Sequence, residues 1–109
     1  MKKLLALTTL LAACAATSAL AADAKEVYTK DCAKCHGAEG KGDTKMGQKL
    51  GAKDYSDAKV QAELTDAAGV KAIKEGVKDK DGKVLMKEHE GISDAEAKAL
   101  IDYMRTFKK

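Results

Sequence analysis

The sequence predicts an all-α fold, and three observations carry that expectation. No stretch alternates apolar and polar residues in the manner of a half-buried strand. Ser93-Asp94-Ala95-Glu96 reads as a capping box, followed by Ala97, Leu100, Ile101 and Met104 as one helical stripe. Gly37, Gly40, Gly42 and Gly76 fall where helix-periodic segments end. The 109 residues suffice for one small domain, without internal repeat, low-complexity run or linker.

The chain opens with a basic Met1-Lys2-Lys3, an apolar run from Leu4 to about Ala16, and small residues at Ala19 and Ala21. This is the pattern of a bacterial signal peptide over residues 1–21, removed by a cut after Ala21. The apolar run is too short to span a membrane comfortably, so no membrane span is expected. Leu11-Ala12-Ala13-Cys14 resembles a lipobox and offers a second cut, which would leave a protein lipid-anchored through Cys14. The later cut is preferred because it gives ordinary basic, apolar and polar regions. It leaves residues 22–109 as the mature domain, exported to the periplasm. Lys2 and Lys3 leave with the leader, so about +1 remains of the net charge of +3. Such a balance gives no case for nucleic-acid binding.

The first helix is expected from a cap at Asp23 to Cys35, with Ala24, Val27, Tyr28 and Cys32 on one face. Residues 37–55 show no convincing periodicity and read as a loop. Ser56 or Asp57 would cap a short helix to about Leu64. Thr65 would cap another to about Glu75, with Ala68, Val70, Ala72, Ile73 and Val77 as its apolar set and Gly76 as its stop. Asp79-Lys80-Asp81-Gly82 is a turn, and residues 83–91 read as irregular. The last helix runs from Ser93 to about Phe107. Asp94 and Glu96 lie at its positive end and Arg105, Lys108 and Lys109 at its negative end.

The chemistry is concentrated in Cys32-Ala33-Lys34-Cys35-His36, the attachment signature of a c-type haem. Two thiols on neighbouring positions of one helical turn can add to the two vinyl groups of a porphyrin. The histidine that follows is then carried under the iron as an axial ligand. A structural zinc site needs four ligands, and no second pair exists: Cys14 lies in the leader, and only His89 remains. A thioredoxin-like redox pair needs a surrounding βαβ pattern, which is not visible. At this size a protein core alone is modest, and a large apolar cofactor would supply what the side chains lack. The few aromatics (Tyr28, Tyr55, Tyr103, Phe107) suit a core built around a flat group.

The other axial position has several candidates. Met86 lies in an irregular segment, where backbone uncommitted to a helix can hold its thioether over the iron. Met104 sits on the buried stripe of the last helix and reads as core filler. Met46 follows the haem motif too closely for the chain to pass round the haem edge. His89 would give bis-histidine iron but reads as a polar surface residue between Glu88 and Glu90. An open position is the remaining option. Met86 is preferred.

The chain resembles the small class I bacterial cytochromes c, of the sort grouped as c6, c553 and c555, over essentially all of residues 22–109. Cys32-Ala33-Lys34-Cys35-His36-Gly37 with Gly40 and Gly42 matches the family's haem-binding start. Lys83-Val84-Leu85-Met86 and Gly91-Ile92-Ser93-Asp94-Ala95-Glu96 match its ligand-methionine loop and last helix. Tyr28 and Ala24, with Leu100 and Tyr103, fall where that family crosses its first and last helices. The resemblance implies a cytochrome c fold of three to five short helices around one covalent haem c, held by Cys32 and Cys35. It also implies iron ligated by His36 and Met86. The sequence departs from the family pattern in having no proline, with Lys87 after Met86, and in placing Ala24 where glycine is frequent. Proline would restrict the unfolded chain, so the Met86 loop is expected to be looser.

Iron saturated by His36 and Met86 has no place for a substrate. The expectation is therefore a monomeric electron carrier, not an enzyme, between a membrane quinol-oxidising complex and an oxidase or reductase. The alternatives are a haem-based sensor or low-level peroxidase with a labile sixth ligand, and a lipid-anchored subunit of a larger oxidoreductase. Lys34, Lys41, Lys45, Lys49 and Lys53 outnumber Glu39 and Asp43 near the haem motif. That excess is either a steering patch for acidic partners or a solvated mixed surface.

Overall fold

Leu20, Ala21 and Ala22 favour helix, and the first helix is already running at residue 20, where the computed structural model begins to describe the chain (residues 20–109). Asp23 therefore lies inside this helix and does not cap it. Of the leader expected over residues 1–21, residues 1–19, with Cys14, lie outside the described residues, and Leu20 and Ala21 open this helix. Helix α1 spans residues 20–36: α-helical over 20–27, π-helical over Tyr28–Cys32 and α-helical again over Ala33–His36. In the wide turn the Ala33 N–H donates to the Tyr28 carbonyl. Side-chain periodicity carries no sign of such a turn, and π turns of this kind occur often at functional sites. The expected face is the buried one, with Ala24 and Tyr28 inside and Val27 and Cys32 packed against them.

The expected loop over 37–55 contains a helix, α2 (Lys45–Leu50). Thr44 starts it, because its Oγ1 accepts from the Gly47 N–H at 2.9 Å. The same hydroxyl donates back to the Lys34 carbonyl at 2.7 Å, with that of Cys35 at 3.0 Å. The helix is thus fixed by contact with the end of α1, which local periodicity does not reveal. Gly47 makes the contact possible, since a Cβ there would overlap the Cys35 carbonyl oxygen.

The remaining helices start where the caps predict. Asp57 accepts from Lys59 N at 2.8 Å to open α3 (Ala58–Glu63). Thr65 accepts from Ala68 N at 3.1 Å to open α4 (Asp66–Glu75). Ser93 and Glu96 form the capping box of α5 (Asp94–Arg105).

Between α4 and α5 the chain makes a small antiparallel hairpin, β1 (Val77–Lys78) with β2 (Val84–Met86), in which Val77 faces Met86 and Lys78 faces Val84. The turn expected at 79–82 lies inside this hairpin, and the irregular chain expected after it includes β2. Strands of two and three residues are too short to show alternation. Asp79 closes the turn by accepting from the Asp81 and Lys83 N–H groups, each at 2.9 Å. Val77 consequently lies on β1 and is exposed, outside the apolar set of α4. Gly76 ends α4 at φ +77°, and a Cβ there would stand 2.6 Å from the Met86 carbonyl oxygen. Glycine thus serves both the backbone angle and the close return of β2.

The core sits where α1, α4 and α5 meet. Ala97, Leu100, Ile101 and Met104 are buried, as the stripe predicts, and Ile73 of α4 packs with them. Tyr28 packs against Tyr103 and Phe107 with ring centroids 5.2 and 5.1 Å away. Its hydroxyl donates to the buried Gly37 carbonyl at 2.6 Å. The architecture is mostly helical, as the sequence predicts, with one short hairpin added. No helix among the described residues is long and apolar enough to cross a membrane.

Removing the Tyr28 hydroxyl takes the shorter of two hydrogen bonds from the Gly37 carbonyl, which still accepts from the Gly40 N–H at 3.2 Å. Tyr28→Phe is expected to cost about 0.5–1.5 kcal/mol in denaturant unfolding. Burial, with smaller contributions from Cys32 and Tyr103, also pushes the Tyr28 phenol well above its ordinary range. The folded chain then holds this proton at pH values where the unfolded chain has released it. The stability so gained is present below about pH 10 and is lost as the pH rises above it. Unfolding followed against pH should show this loss, and Tyr28→Phe should lessen it.

Candidate functional site

A cleft of about 760 Å³, including its mouth, opens among α1, α3, α4, α5 and the end of β2. Its floor is apolar, made by Leu64, Ile73, Leu100 and Ile101. Cys32 and His36 enter from α1, Met86 from β2 and Met104 from α5. Lys53 and Tyr55 close one side along the segment between α2 and α3.

The electrostatics of α1 follow from burial. The Cys32 thiol is pushed up to about 11, first by desolvation, then by the charges of Asp31 and Cys35. Both Cys32 and Cys35 are free and partly buried. Burial lowers the pKa of His36, so its imidazole is neutral at pH 7. His36 Nδ1 is buried without a hydrogen-bond partner, leaving Nε2 as the nitrogen that can serve the cleft. The ring packs against Tyr55 with centroids 5.8 Å apart. Desolvation raises the Tyr55 phenol in turn.

Tyr55 is held by two side chains that sequence reading did not single out. Asp54 Oδ1 accepts from the N–H and hydroxyl of Ser56, at 2.9 and 2.6 Å, and sets the turn around Tyr55. Gln61, buried on α3, donates from Nε2 to the carbonyls of Tyr55 at 2.6 Å and Met104 at 2.9 Å. Arg105 donates to the Gln61 carbonyl at 3.2 Å, to that of Leu64 at 2.7 Å and to Asp66 at 3.0 Å. A polar residue between Val60 and Ala62 in a short helix gives no signal of this role. Two of its partners, Met104 and Arg105, lie over forty residues away, on α5.

The axial candidates separate by position. Met86 is half-buried and lines the cleft. Met104 lines it too, nearly buried at 7% exposure. Met46 is 50% exposed and stands outside the lining. His89 is also outside it, with Nε2 at 3.4 Å from Asp31 Oδ2. Among the described residues no group of three or more His, Cys, Asp or Glu side chains is placed to hold a bare metal ion. The donor set fits a haem: two free thiols on one turn, a neutral imidazole beside them, a thioether on another wall, and an apolar floor.

Comparison with known proteins agrees with this chemistry. The cytochrome c family profile matches residues 21–108. A solved structure, the KustC0563 c-type cytochrome, is 34% identical to this chain, with a TM-score of 0.66 over 78% of this chain and 96% of its own. None of the curated proteins matches.

Proposed function

The chain belongs to the cytochrome c family, whose members carry a covalently attached c-type haem and transfer electrons with it. From that premise we propose that residues 22–109 form a periplasmic electron carrier, with Cys32 and Cys35 as haem attachment points and His36 and Met86 as axial ligands. The reading rests on one observation: His36 and Met86 come from distant elements into the lining of one apolar cleft. When bound, the haem supplies a one-electron ferric/ferrous couple. His36 offers a neutral nitrogen, Met86 a soft thioether that favours the ferrous state, and the apolar floor keeps water out. With His36 and Met86 both holding the iron, the chain would change redox state without turning over a substrate.

Its redox partners, in this proposal, are a membrane quinol-oxidising complex as donor and an oxidase or reductase as acceptor. Lys34, Lys45, Lys49 and Lys53 are exposed, and Lys53 lines the cleft. Lys41 is paired with Glu39 at 3.3 Å. If the lysines steer an acidic partner, the second-order electron-transfer rate falls as salt is raised from 10 mM to 200 mM. A rate independent of salt would return them to a solvated mixed surface.

The deciding experiment is optical. The ferric protein should show a methionine–iron charge-transfer band, and the reduced protein should bind no carbon monoxide at neutral pH. Ready carbon monoxide uptake would replace this reading with a ligand-binding or peroxidase domain whose sixth position is labile.

A further inference from the structure

One contact near the haem motif is used neither by the cleft nor by the lysine-rich rim. His89 Nε2 stands 3.4 Å from Asp31 Oδ2, joining segments 58 residues apart. His89 Nδ1 is buried and has no partner. An N–H at Nε2 can donate to that carboxylate. The backbone N–H of the same residue donates to the Ile73 carbonyl at 2.8 Å. His89 is thus tied to α4 by its main chain and to α1 by its ring.

The two ends of this bridge are informative. Asp31 lies in the π turn of α1, immediately before Cys32. His89 follows Met86 by three residues, in a stretch (87–91) without helix or strand and without proline. The contact therefore fastens the Met86 segment to the same helix that carries Cys32, Cys35 and His36. The His89 backbone bond and the close approach of Lys87 and Glu88 to Gly76 hold the same stretch to α4, and the side-chain contact alone ties it to α1.

We infer that Asp31 and His89 are positioning residues, holding Met86 in the cleft by strapping its segment to α1. This rests on Met86 being the axial ligand. The side chains remain 48% and 34% exposed, so the strap is weak and its loss should change loop opening by several-fold, not by orders of magnitude. An external ligand that binds only when Met86 has withdrawn gains apparent affinity in proportion to the open fraction.

The test is imidazole titration of the ferric haem protein, alongside its denaturant unfolding. Asp31→Ala and His89→Leu should each tighten imidazole binding about threefold. The double variant should be no tighter than either single one, since both remove the same contact. Exchanging the pair, Asp31→His with His89→Asp, should bring affinity back toward the parent. Single variants with parent-like affinity, or additive effects in the double variant, would overturn the strap. A lowered unfolding midpoint with unchanged imidazole affinity would also overturn it, as that is what general structural loss produces. Met86→Ala serves as the control. If it tightens imidazole strongly while Asp31→Ala does not, only the strap fails. If it leaves imidazole binding unchanged, the axial assignment fails.

Discussion

Met86→Ala is expected to leave the haem covalently attached and to lower its reduction potential by on the order of 0.1–0.3 V. That is a fraction of the roughly 0.8 V over which axial ligands set haem potentials. The attachment residues lie on α1, while Met86 lies on β2, so the substitution leaves the thiols untouched. It removes the soft donor that favours the ferrous state and opens the cleft to water, and both changes stabilise the ferric form. Carbon monoxide should then bind the reduced protein. Met104 lines the same cleft and is the obvious substitute. Its own buried place on α5, against the carbonyl contact from Gln61, argues against its moving in. Potentiometry with the optical spectrum checks the result, and a parent-like potential would mean that another group ligates the iron.

The second large effect is expected at Gly47, which no chemistry touches. A Cβ there overlaps the Cys35 carbonyl oxygen and stands 2.8 Å from that of Gly42. Both neighbours are backbone, so no side-chain rotation relieves the clash. Gly47→Ala should force α2 away from the end of α1, costing about 3 kcal/mol, the upper end of ordinary overpacking. Because the displaced carbonyl belongs to Cys35, beside His36, the loss should reach the haem spectrum as well as the unfolding midpoint. Gly51→Ala is the useful contrast, since open space surrounds that position and only its left-handed backbone (φ +74°) resists the change. It should cost less and leave the spectrum alone.

These effects lie where local sequence and tertiary contact diverge. The five-residue haem signature is a covalent requirement, so spacing alone makes it readable. The capping box at Ser93 is similarly local: its donors and acceptors lie within one turn, and the buried stripe of α5 follows from a period of 3.6 residues. Helix α2 is different. Thr44 caps it, but the same hydroxyl is spent on the carbonyls at the end of α1, and Gly47 matters only because that end passes so close. The hairpin that delivers Met86 is too short for alternation to appear, and it is fixed by Asp79 and by the approach of β2 to Gly76.

By itself, then, the sequence determined the covalent cofactor and the capped helices of the frame, because each depends on residues within a turn or two of one another. Tertiary structure alone decided what shares the cleft with His36, how Gln61 holds Tyr55 against it, and that His89 turns away toward Asp31. The first and last of these join residues far apart in the chain, and the second depends on the contacts of Gln61 with Met104 and Arg105 of α5. Their partners are chosen by which surfaces pack together, and no spacing along the sequence records that choice.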